Sequence, residues 1–150
     1  MEHGIAFVIH KIAILLAVYV LLSAPMARAE EQRIAIVVNA ESGIKAISAK
    51  QVRRAYLGAS IVLNGIEVRP LLNQSDQLAV EVFLQRILFM SAEAYERQLI
   101  AHSFQGGSRP RAYENMTALL TALHNDNAAI TFMLYDTAIK TTGIRIIGKL

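Results

Sequence analysis

The sequence predicts one α/β domain in which a mixed sheet is flanked by helices. Three observations carry that reading. Runs of β-branched residues and capped amphipathic segments follow one another in irregular order, the pattern of strands and helices sharing one sheet. The length, 150 residues, suits one domain plus a targeting segment and is too short for a TIM barrel. Apolar residues make up 54% and charged residues 18%, which excludes intrinsic disorder.

The first 29 residues stand apart. Ile12–Leu22 (IAILLAVYVLL) is an unbroken apolar run preceded by His10 and Lys11, then followed by Pro25 and the small-x-small triplet Ala27-Arg28-Ala29. This layout predicts a secretory signal peptide over residues 1–29, cleaved after Ala29. An anchor helix is the competing reading, but a span needs about 20 apolar residues and would enclose Lys11. Cleavage leaves one domain over residues 30–150, about half apolar, and the loss of Glu2, Lys11 and Arg28 lowers the formal charge from +3 to +2. Its expected location is a bacterial periplasm. With no cysteine in the chain, disulfides, thiolate metal sites, cysteine nucleophiles and an N-terminal lipid anchor are excluded.

Along the domain, Ile34–Asn39 (IAIVVN) reads as a strand buried on both faces. Ser48 opens a helix with a capping box to Gln51 and a hydrophobic staple between Ile47 and Val52; Val52, Ala55 and Tyr56 form its apolar stripe, and Gly58 stops it. Asn64-Gly65 predicts a tight turn between Ile61–Leu63 and a second strand within Ile66–Leu72, which Pro70 pushes to a sheet edge or shortens. Ser75 is read as the N-cap of a central helix over Asp76–Met90, with Asp76 in its first turn. Ser91 caps a further helix to about Ala101, and Ser103–Arg111 is a loop. Met116, Leu119, Leu120 and Leu123 recur at helical spacing. Strands at Ala128–Leu134 and Ile144–Ile147 complete the domain.

Chemistry is sparse. His102 and His124 have no carboxylate or second histidine at ligand spacing, so no metal site is expected. Neither a nucleophile elbow nor a dinucleotide or Walker loop occurs, so neither an enzyme nor a cofactor is indicated. The few aromatic residues are not interleaved with arginines, and the small positive excess does not indicate nucleic acid. Two segments suit an anion. One is Asn73–Gln77, where unpaired N–H groups and the positive dipole end of a helix converge. The other is Gln105–Arg109, a glycine-rich turn beside an arginine. Each also reads plainly, as an ordinary N-cap and an ordinary turn with nothing bound.

The order of the motifs resembles the phosphate-binding proteins of ABC uptake systems, within the type II periplasmic binding protein superfamily. IAIVVNAESGI is similar to that family's strand ending in Val-Asn. ISAKQVRRAYLG resembles its helix ending in an aromatic-Leu-Gly step, and Asn64-Gly65 sits at its Asp/Asn-Gly turn. IEVRPLLNQSDQLAVEVF resembles the strand, the Asp-Gly-Ser-Gly-Thr phosphate loop and the helix that follows. FQGGSRP and AAITFMLY resemble the family's Phe-x-Gly-Pro segment and Ala-Ile-Gly-Tyr strand.

This resemblance implies a single lobe of the type II fold, acting as a non-enzymatic solute-binding-protein-like domain in phosphate transport. Asn73, Ser75 and Gln77 would be its ligand-binding groups, with Arg69 as a substitute cation. Only Ser75 of the Ser-Gly-Thr triplet is kept; Asp76 and Gln77 replace the glycine and threonine, and Leu71 stands where an arginine is expected. A carboxylate beside a bound phosphate costs about 1 kcal/mol in water and about 4 at an effective dielectric near 20. The implied ligand is therefore a small oxyanion such as phosphate, held weakly or with altered specificity. A ligand-less module that binds an envelope protein, or a homodimer supplying two lobes, are the alternatives.

Overall fold

The strand β1 (Ile34–Asn39) is buried at all six positions, as its unbroken apolar sequence predicts. The computed structural model describes residues 32–150, so the signal peptide expected over 1–29 lies outside the described residues. Beyond β1 come α1 (Ala49–Tyr56), the short strands β2 (Val62–Leu63) and β3 (Ile66–Glu67), β4 (Arg69–Asn73) and α2 (Gln77–Phe83). A π turn over Leu84–Leu88 leads to α3 (Ala92–Phe104), β5 (Arg111–Tyr113) and α4 (Met116–His124). The chain closes with β6 (Ala129–Leu134), α5 (Tyr135–Ala138) and β7 (Ile144–Lys149). Among the described residues, no helix is long and apolar enough to cross a membrane.

Five strands form the mixed sheet in the order β5-β4-β6-β1-β7. β4 pairs parallel with β5 and β6, while β1 pairs antiparallel with β6 and β7, so β1 alone runs against the rest. Alternate residues of β1 enter two cores. Ile34, Ile36 and Val38 face α1, α2, the π turn and α3; Ala35 and Val37 face α4 and α5. β7 would be an open edge, but it carries an extra residue at Ile147, whose carbonyl accepts the Ile47 N–H from the segment before α1. Gly148 allows that approach, since a Cβ there would lie 3.1 Å from the Ile47 carbonyl oxygen.

Local signals are obeyed where they are strongest. Ser48 and Gln51 form the capping box on α1. Gly58 ends that helix at φ +96°, and Asn64 and Gly65 take positive φ to turn β2 into β3. The larger core is knitted by three rings: Phe83 stacks on Phe132 at 3.9 Å between centroids, and Tyr56 meets both edge-on. The Tyr56 hydroxyl donates to the Leu71 carbonyl, as does the Thr131 hydroxyl, and Tyr95 donates to the Tyr56 carbonyl. Burial pushes both tyrosine hydroxyls well above their ordinary pKa.

Several elements differ from the sequence reading. Pro70 neither shortens β4 nor places it at an edge; β4 lies between β5 and β6. The reason is register: the Arg69 N–H points at the carbonyl of Ala128, just before β6, so the Pro70 nitrogen faces the other side, before β5 pairing begins at Leu71. The central helix does not run unbroken to Met90: it widens into the π turn and stops at Phe89, which is left-handed (φ 56°) with its ring under the Arg53 guanidinium. The helix after Ser91 extends to Phe104, and part of the expected loop beyond it forms β5 by pairing with β4.

Truncating the central stack should be severe. Phe83→Ala is expected to cost about 3–5 kcal/mol, whereas Tyr56→Phe, which leaves Thr131 on the Leu71 carbonyl, should cost about 1. Urea unfolding of the two variants beside the parent protein measures both.

Candidate functional site

The turn Asn73–Gln77 stands where β4 ends and α2 begins, with the Asn73 side chain fully buried and Ser75 and Asp76 half-buried. A buried amide needs partners at both ends. Asn73 Nδ2 donates to the Phe132 carbonyl at 2.9 Å, and its Oδ1 accepts both the backbone N–H and the hydroxyl of Ser75. That pattern is an Asx turn closed over two residues. It holds β4 to β6 and aims the chain into the helix.

Ser75 is not the N-cap. Its hydroxyl is committed backwards to Asn73, and the cap is Asp76, whose Oδ1 accepts the Ala79 N–H at 3.2 Å. Gln77, exposed, is the first helical residue and reaches toward Glu81. The chain's own carboxylate thus occupies the position where an anion would meet the helix terminus. The N–H groups of Gln77 and Leu78 remain as the first two donors of the helix, which have no intrahelical acceptor.

Arg69 is elsewhere. It lies at the opposite end of β4, about 13 Å from Asn73 at strand spacing, and opens on a different cleft of about 840 Å³. There Nε and Nη2 grip both carboxylate oxygens of Asp126 at 2.6 Å. The hydrogen bond from Arg69 holds the Asp126 carboxyl below its usual range, aided by the Ala128 N–H and opposed by partial burial. The structure therefore brings together Asn73, Ser75 and Gln77 but not Arg69.

The second anion candidate, Gln105–Arg109, uses its donors inward. The N–H groups of Gln105 and Gly107 both point at the His102 carbonyl and that of Gly106 at the Ser103 carbonyl, closing the end of α3. The His102 ring packs over Gly107, where an added Cβ would lie 2.0 Å from Nε2 and displace it. Arg109 pairs with Glu96. Each histidine also has a packing role: His102 against Gly58 and Gly107, His124 with Nε2 3.1 Å from the Gly143 carbonyl.

No protein-family model and no curated protein matches the chain. Its fold is similar to an ABC-type phosphate transport receptor from Vibrio cholerae, with a TM-score of 0.55 and 11% sequence identity. The match covers 77% of this chain and 46% of the receptor, so the chain spans under half the receptor's length. At that identity the likeness shows the fold, and the mixed sheet flanked by helices fits a single lobe.

Sequence reasoning missed Asp126 and Glu96 as arginine partners, 57 and 13 residues from Arg69 and Arg109; no local signal marks either pair. Because the Asp126 pKa is depressed, its contribution is present above the ordinary aspartate value and is lost as pH falls through the lower folded value. An exposed bidentate pair contributes about 0.5–1 kcal/mol. Asp126→Asn should be less stable than the parent by that amount at pH 7, and the gap should close in denaturant titrations as pH falls below the ordinary aspartate range.

Proposed function

We propose that this protein is an exported solute-binding-protein-like lobe related to phosphate ABC transporter substrate-binding proteins, with weak or altered binding of a small oxyanion such as phosphate. The observation that carries the reading is the Asn73–Gln77 turn. It keeps the strand-to-helix geometry that suits an anion, yet seats the Asp76 carboxylate on the helix terminus. Asn73, Ser75 and Gln77 are the ligand-binding candidates, whereas Arg69 stands at the opposite end of β4, held by Asp126. The similarity to a phosphate transport receptor supports the lobe architecture, and the apolar N-terminal run supports export to the periplasm.

One observation favours a second reading, a ligand-less module that docks an envelope protein such as a sensor or transporter component. The Ser75 N–H and hydroxyl are both satisfied within the turn, as is the Ala79 N–H. A group already bonded inside the protein gains little from a solute. A homodimer supplying two lobes would restore a closed site; sedimentation at known concentration separates it from a monomer.

Calorimetric titration of the purified protein with phosphate, sulfate, molybdate and small carboxylates decides between these readings. Asp76→Asn keeps a capping oxygen and removes the charge. For the solute-binding reading, the parent should bind an oxyanion weakly and Asp76→Asn at least about tenfold more tightly. Absence of heat from both proteins, with a partner recovered from periplasm, would establish the docking module instead.

A further inference from the structure

A second, more enclosed cavity of about 450 Å³ lies between the α2–α3 layer and the β4–β5 side of the sheet. That is roughly three times the volume known to admit a benzene molecule into an apolar protein interior. Its walls include Phe83 and Phe132, the rings that stack at 3.9 Å, together with Leu72 and Leu99. The buried polar side chains in its walls are already bonded, Asn73 to the Phe132 carbonyl and the Tyr95 hydroxyl to the Tyr56 carbonyl, while Gln74 is exposed. Among the described residues no buried side-chain nitrogen or oxygen lacks a partner. Water entering the interior would thus find few groups to bond, and an apolar body displaces it readily.

The rim has different chemistry. Arg109 and Glu96 line the cavity and pair across it, with 43% and 52% of their side-chain surfaces exposed. Glu96 engages Arg109 through a single contact, Nη2 to Oε1, among the described residues. The remaining guanidinium donors keep the forked geometry that matches a carboxylate. Because the pair is solvent-exposed it contributes little to stability, so a ligand carboxylate can displace Glu96 at small cost. Pro110, next in the chain and also lining the cavity, restricts the backbone that presents Arg109.

We propose that this cavity binds a small aromatic carboxylate, its ring among Phe83, Phe132 and Leu99 and its carboxylate on Arg109. The cavity adjoins the Asn73–Gln77 turn, whose Asn73 and Gln74 form part of its wall, but its ligand is organic and mostly apolar where that of the turn would be an inorganic oxyanion. It takes a ring for its apolar lining, and an acid rather than an amine because the forked cation keeps unused donors at the rim.

The probe is 3-phenylpropionate, added to the purified protein and followed by amide NMR shifts and calorimetry. Saturable one-to-one binding is expected, with shifts concentrated at Ala92, Leu99 and Ala112, away from the Asn73–Gln77 turn, and none of these shifts produced by inorganic phosphate or propionate. Ala112 is exposed at the mouth on β5, so Ala112→Phe should block entry with the melting temperature unchanged. Arg109→Met should weaken binding about tenfold, the loss of a charge-assisted pair. No saturable shifts at millimolar probe would sink the proposal, as would shifts confined to another surface. Undiminished binding by folded Ala112→Phe removes this cavity as the site, and unchanged affinity in Arg109→Met removes the carboxylate assignment. These results are independent of the phosphate titration, so either site can fail without the other.

Discussion

Everything in this fold depends on sealing β1 on four sides. Its six residues have no exposed face, so neighbours are needed above, below and along both edges. β6 and β7 take the edges in antiparallel pairing. Helices from two distant parts of the chain take the faces: α1 to α3 before β5, and α4 and α5 around β6. A strand of β-branched residues left half covered would expose apolar surface along its length, at about 25 cal/mol for each Å². The three-layer arrangement is the way a chain this short satisfies that demand.

That arrangement also places the chemistry. Because β4 is parallel to β6 and adjacent to it, its last residue, Asn73, lies within reach of the Phe132 carbonyl. The buried amide then organises the turn into α2 by accepting from Ser75 twice. The interactions that make the turn rigid also consume its hydrogen-bond capacity. A loop suited by position to hold an anion has its own aspartate on the helix end, and its serine faces back into the fold. The donors that a bound solute would need, the Ser75 N–H and hydroxyl and the Ala79 N–H, are already used inside the turn.

Legibility in the sequence followed interaction range. Ser48 with Gln51, Asn64 with Gly65, and the Leu119–Leu123 spacing on α4 all act within a few residues, and each was readable. Ser75 and Asp76 were the instructive failure. Both are good caps by residue type, and Asn73, by bonding the serine, left the cap to the aspartate. β5 was invisible because three residues, Arg111–Tyr113, become a strand only where β4 offers a ladder. The Arg69–Asp126 pair was invisible because it joins residues brought close by the β4–β6 pairing.

What the sequence by itself determined is the set of elements with local causes: a doubly buried first strand, capped helices, a tight hairpin turn and an α/β composition. Local hydrogen bonds and the 2.0 and 3.6 periodicities act within one segment, so one segment is enough to read them. Tertiary structure alone decided strand order, the reversed direction of β1, the interior place of Pro70, and which polar groups remained open to a ligand. Those outcomes depend on which carbonyls and amides meet across the sheet, a matter settled only when the two cores close together.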